Sequence, residues 1–149
     1  MEYLGYLSAF VGNMLASSTL LFPVPFFAVY AYLATFLNPL LLAPISALGS
    51  SLGELITYTI GYASGDLLKK NKYFKFAKKW FKRNGAFTIF LFAATPLPDD
   101  VVGLIAGATD YNRSKFFLAC LAGKLLLFLL IAFAVRYSYT NLPTFFHWM

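Results

Sequence analysis

No aspartate, glutamate, lysine or arginine occurs between Tyr3 and Gly53, a run of 51 residues. As one straight helix this run would extend roughly 75 Å at about 1.5 Å per residue, more than twice the hydrocarbon thickness of a bilayer. It must therefore fold back on itself, and Pro23, Pro25, Pro39 and Pro44 mark where it can do so. With only 12% charged residues, against about a quarter in soluble domains, the chain reads as an integral membrane protein.

A Pro-x-Pro triplet interrupts the apolar sequence twice, at Pro23-Val24-Pro25 and again at Pro96-Leu97-Pro98. Proline lacks the backbone donor and its ring clashes with the preceding turn, so two prolines one residue apart stop a helix. At membrane depth such a stop is tolerated only where protein or a water-filled cavity satisfies the freed carbonyls and amides. Paired interruptions in corresponding halves predict two re-entrant hairpins meeting near the bilayer middle.

Eight of the twelve basic residues lie between Lys69 and Arg83, in KKNKYFKFAKKWFKR, which contains no acid. Lys69, Lys70, Lys78, Lys79, Lys82 and Arg83 are expected at a membrane surface and on its cytoplasmic side, where positive charge flanking a span is retained. Tyr73, Phe74, Phe76, Ala77, Trp80 and Phe81 recur at helical spacing opposite the lysines, which predicts an interfacial amphipathic helix on anionic lipid. The hydrophobic context argues against a nucleic-acid patch.

The expected fold is all-α, an inverted repeat of two re-entrant hairpins and two full spans with interfacial amphipathic helices, in a single membrane domain. Residues 1–68 form the first repeat: a short helix to about Asn13, arms Met14–Phe22 and Phe26–Leu37, a turn at Asn38-Pro39, and a span to Leu68. Residues 69–85 form the basic helix, ending at the C-cap pair Asn84-Gly85. Residues 86–139 hold the second hairpin, the turn Asp110-Tyr111-Asn112 and a span from Arg113, and 140–149 form a tail. Sliding the chain so that Pro23 falls on Pro96 superposes these elements by pattern. In the first span Gly49, Gly53, Thr57, Gly61 and Gly65 recur every fourth residue, a small-residue stripe that seats either the first hairpin or a second copy in a homodimer. The N-terminus lacks the basic flank of a signal peptide, so the chain is expected to be mature as it stands. Cys120, the single cysteine, is expected to pack as a small apolar residue.

Ionisable residues within membrane segments are functional candidates, because charge at the bilayer centre costs about 2.5 to 3.5 kcal/mol even on the mildest scale. Glu54, Lys124, Asp99 and Asp100 qualify. The repeat shift carries Lys124 to Ser51, one turn from Glu54, so the two are expected to face each other, as a transport pair or as a structural salt bridge. Asp99 and Asp100 open a helical arm, where one acid serves as a cap and a second suggests a proton or cation site. Asp66 is expected to pair with Lys69 and Lys70. Ser17, Ser18 and Thr19 are expected to satisfy backbone freed before Pro23. No enzyme signature, metal set or cofactor motif is present, and His147 in the tail is the single histidine.

The order of FPVP, ALGSSLGELITYTIGYASG (Ala47–Gly65), a basic linker, ATPLPDDVVGLIAG (Ala94–Gly107) and FFLACLAGK (Phe116–Lys124) resembles the DedA superfamily, also called the VTT or SNARE-associated domain. The glycine-lysine ending of the last motif is similar to the small YqaA-like branch. The resemblance implies facing re-entrant hairpins and movement of lipids between leaflets, phospholipids or polyprenyl phosphates, with proton dependence in some members. It places the central site at the hairpin tips, Pro23, Pro25, Pro96 and Pro98, with Asp99 and Asp100. Many bacterial members carry an acid where this chain has Phe26 and Phe27, and arginines where it has the two aspartates. Three functions follow as expectations: a lipid flippase or scramblase lined by Glu54, Asp99, Asp100 and Lys124; a proton-coupled transporter of a small cation or solute; and a membrane scaffold. Membrane lipids are the expected partners, in a prokaryotic plasma membrane.

Overall fold

A computed structural model describes residues 2–18, 26–68, 72–96 and 99–146. Pro23, Pro25, Pro98, Lys69, Lys70, Thr19 and His147 lie outside the described residues, so both hairpin tips are described only at Pro96, an exposed turn residue. Among the described residues the structure is helical without strands: α1 (Glu2–Ala16), α2 (Phe26–Phe36), α3 (Pro39–Leu68), α4 (Lys72–Ala93), α5 (Asp100–Ala108) and α6 (Arg113–Phe146).

Local chemistry sets the boundaries. α2 gives way to α3 at Asn38-Pro39, where the Asn38 side-chain oxygen accepts from the Leu40 amide (3.0 Å) and its carbonyl from Leu42 (2.9 Å). Pro39 then occupies a helix start, where the missing donor costs nothing. Pro44 lies inside α3, and the chain does not fold back there. It forgoes one hydrogen bond early in a helix held by packing along most of its length.

α5 ends in a Schellman motif. The Tyr111 amide donates to the Ala106 carbonyl (2.9 Å) and the Asp110 amide to Gly107 (2.9 Å), with Asp110 in the left-handed region at φ 57°. The next residue but one, Asn112, caps α6 by accepting from the Lys115 amide (3.0 Å).

α3 and α6 are long and apolar enough to cross a membrane, over Pro39–Leu67 and Arg113–Ser138. At about 1.5 Å per residue the short helices α2 and α5 reach only about 16 and 14 Å, half a hydrocarbon layer. Leu48, Leu52, Ile56 and Ile60 of α3 and Leu118, Leu126, Leu130 and Phe133 of α6 are exposed, an apolar exterior suited to lipid.

Two apolar clusters hold the helices together. One joins Ala9, Tyr30, Ala34, Leu42, Ala43 and Ala47 to Phe128 and Ala132; the other joins Tyr58, Ile89, Ala93, Val102 and Ala106 to Phe116 and Cys120. The start of α3 thus meets the later part of α6 and the reverse, so the two spans run antiparallel. Cys120 is buried in the second cluster, as its packing role requires.

The glycine stripe of α3 divides its work. Gly49 and Gly53 lie under the Phe10 and Met14 carbonyls of α1, while Gly61 and Gly65 lie under Leu104 and Ala108 of α5. The stripe therefore seats α1 and α5 rather than one hairpin alone, and these contacts lie within the chain. Gly107 returns the contact, pressed against the Tyr58 carbonyl so closely that a β-carbon would collide with it.

The basic segment is not a separate helix. α4 runs unbroken through Asn84-Gly85, and Phe81, Gly85, Ile89 and Ala93 form its buried edge. Gly85 is needed because the Tyr111 ring fills the space a β-carbon would take, at 2.5 Å. Likewise α1 passes through Asn13 without a break.

Candidate functional site

Between the two apolar clusters lies a polar layer. Glu54 stands in the middle of α3, within one residue of equal distance from Pro39 and Leu68. Lys124 stands on α6 between Cys120 of one cluster and Phe128 of the other, one turn from each. Antiparallel packing at that depth brings the two together: Lys124 Nζ lies 3.5 Å from Glu54 Oε1, with Glu54 1% and Lys124 6% exposed.

The Lys124 ammonium also contacts the Asp99 carboxylate. Asp99 is the N-cap residue of α5 by position, yet its side chain caps no amide. Its carboxylate has turned to the lysine, because a buried ammonium is a stronger partner than a peptide N–H. Asp100 follows in the first turn of α5, where a carboxylate opposes the helix dipole, and lies beside the Thr57 hydroxyl. Gly103 keeps α5 close enough for this meeting, since its Cα faces Thr57 and Glu54 Oε2.

All four intramembrane candidates therefore converge. An oxygen from each of Glu54, Asp99 and Asp100 lies within 4.8 Å of the others, close enough for one small hard cation. The Lys124 ammonium, in contact with two of the three, supplies positive charge from within the chain. With every group ionised the cluster carries three negative charges and one positive.

Sequence reasoning missed the hydroxyl layer around these charges. Ser46, Ser50, Ser51 and Thr57 are fully or almost fully buried on the face of α3 that carries Glu54. Their helical spacing was the available signal, and in sequence it is indistinguishable from small-residue packing. Ser50 bonds Ser17 (Oγ to Oγ, 2.6 Å), so Ser17 reaches across to α3, whereas Ser18 satisfies the Met14 carbonyl (2.6 Å). Tyr30 was missed too: buried in the first apolar cluster, it donates to the Phe128 carbonyl (2.8 Å) and ties α2 to α6.

The surface candidates behave differently. Lys78, Lys79, Lys82 and Arg83 are exposed along α4, beside exposed Tyr73, Phe76 and Trp80, while Phe81 turns inward. The partners expected for Asp66, Lys69 and Lys70, lie outside the described residues.

Comparison of the chain with curated proteins and with solved structures returned no match. A family profile described as the VTT domain matches residues 14–137, a stretch that takes in the glycine stripe, the polar layer, the first span and all but the last residue of the second. With that match over most of its length, and with two apolar helices that suit a bilayer, the chain is a membrane protein of the VTT-domain, or DedA, family.

Proposed function

We propose that the protein moves a lipid, phospholipid or polyprenyl phosphate, between leaflets, with Glu54, Asp99, Asp100 and Lys124 as the polar station at mid-depth and the acids as proton carriers. The observation that carries this reading is the buried cluster itself. Three carboxyls around one lysine, halfway along two antiparallel spans, are costly to keep in a scaffold, where an apolar core of the same volume holds as well or better.

An inverted repeat of re-entrant hairpins underlies this reading, and two features support it. The offset from Pro23 to Pro96, applied to the bounds of α2, gives 99–109, beside the observed Asp100–Ala108; applied to α3 it gives 112–141, beside Arg113–Phe146. The packing also maps onto itself: α3 packs on α1, α5 and α6, and α6 packs on α4, α2 and α3. Exchange of α1 with α4, α2 with α5 and α3 with α6 leaves that scheme unchanged. Short α2 and α5 then serve as the returning arms of the two hairpins.

The close approach of three carboxyl oxygens favours a second reading, proton-coupled transport of a small cation. Liposomes holding a fluorescent phospholipid separate the two. With the protein present, dithionite is expected to quench both leaflets, and Asp99→Asn/Asp100→Asn to restrict quenching to the outer leaflet. Outer-leaflet quenching by the parent protein, with or without a proton gradient, overturns phospholipid movement. Gradient-dependent uptake of a small cation by the same liposomes would then establish the second reading.

A further inference from the structure

The Schellman turn between α5 and α6 faces the lysine half of α4 across a cavity of about 370 Å³. Lys78 and Lys82 line it from α4 and Lys115 from α6, over a floor made by Phe81 and Tyr111, with Asp110 at its edge. We propose that this cavity binds a doubly charged phosphate monoester group, on a lipid or free in solution, at a site distinct from the buried cluster.

Each lysine is unfavourably placed for the chain alone. Lys78 and Lys82 are one helical turn apart on one face, where like charges oppose each other. Lys115 sits in the first turn of α6, where the helix dipole disfavours a cation and no acid is present to offset it. One anion between the two helices would relieve all three. Three lysines less Asp110 leave a charge of +2, which complements the charge of about −1.5 to −2 on a phosphate monoester near neutral pH. Burial holds the Tyr111 phenol above its ordinary range, so Asp110 is the single anion lining the cavity.

The floor is fixed before any ligand arrives. Phe81 is 5% exposed and meets the Tyr111 ring edge to face at 5.9 Å, while the Tyr111 carbonyl accepts from the Tyr58 hydroxyl. Gly85 lies flat beneath that ring. A pre-formed floor with lysine arms above it lets a small phosphate group be enclosed without reordering of the backbone. The volume suits a phosphate headgroup.

The test uses the full chain in phosphatidylcholine nanodiscs, with Lys78→Gln/Lys82→Gln/Lys115→Gln compared with Lys72→Gln/Lys75→Gln/Lys79→Gln. Both triples remove the same charge, but only the first touches the cavity. Inorganic phosphate is titrated calorimetrically, and nanodiscs doped with phosphatidic acid are examined by native mass spectrometry for retained lipid. The first triple is expected to weaken binding about tenfold or more and the second by less than about twofold. Retention of phosphatidic acid without binding of inorganic phosphate identifies a lipid headgroup as the ligand; binding of both identifies the phosphate group itself as sufficient. Equal losses in the two triples, or no binding of either probe by the parent, overturns the site. Asp99→Asn/Asp100→Asn is expected to bind phosphate as the parent does, so this site stands or falls apart from the transport reading.

Discussion

Two charged clusters in this protein have mirrored compositions and opposite surroundings. At mid-depth three acids share Lys124; at the lysine half of α4 and the start of α6 three lysines share Asp110. Glu54 and Lys124 are almost wholly enclosed, whereas Lys78, Lys82, Lys115 and Asp110 stand in solvent. A pair of unit charges about 4 Å apart is worth about 1 kcal/mol in water and about 4 kcal/mol at the effective dielectric of a protein. The charges of the buried cluster thus hold one another more strongly, and the exposed ones are left to take a partner from outside. Similar ratios of charge therefore do different work according to depth.

The sharpest attempt to break that contrast is Lys124→Met. It leaves buried Glu54 and half-buried Asp99 and Asp100 without their base and is expected to cost about 3 to 5 kcal/mol, read as a fall in the unfolding temperature of the detergent-solubilised protein. Lys115→Gln, in solvent, is expected to leave that temperature unchanged. Equal effects would mean that depth does not separate the clusters. Combining Lys124→Met with Glu54→Gln, Asp99→Asn and Asp100→Asn is expected to regain most of the stability but none of the lipid movement. A quadruple variant that still moved lipid would reduce the cluster to a structural bridge.

Smaller effects sharpen the comparison. Gly107→Ala forces a β-carbon into the Tyr58 carbonyl and is expected to cost about 1 to 3 kcal/mol by pushing α5 off α3, which loosens the buried cluster and spares the lysines. Tyr58→Phe removes the bond to the Tyr111 carbonyl, with an expected loss of about 1 kcal/mol in thermal unfolding. The smallest change belongs to Asp110→Asn, since asparagine tolerates the left-handed backbone. Removal of the acid is expected to tighten phosphate binding about threefold in the same calorimetric titration, and unchanged affinity would exclude Asp110 from the cavity's charge balance.

The meeting of Glu54 and Lys124 was legible because charge in an apolar run is rare and a repeat distance locates its partner. The turn at Asp110 to Asn112 was equally plain. Asp99 was harder to read, since an acid at a helix start looks like a cap and only the approach of α6 reveals a stronger partner. Asn84-Gly85 misled for a similar reason. A glycine after asparagine has the composition of a helix end, yet Gly85 is small because the Tyr111 ring, brought in from beyond α5, needs its space. Tyr30 gave no signal at all, because a tyrosine in an apolar helix does not announce which carbonyl it will reach. Local chemistry was readable where one residue decides the outcome and unreadable where a distant helix decides it.

The unbroken course of α4 links two parts of the molecule. Its last turn lies against Gly123, next to Lys124, and Arg83, where the basic half begins, stands about 15 Å back along the same helix from Ala93. The lysine half and the half that packs near Lys124 are therefore one rod about 33 Å long. One element thus carries both the lysines Lys78 and Lys82 at the cavity and the turn that packs beside Gly123.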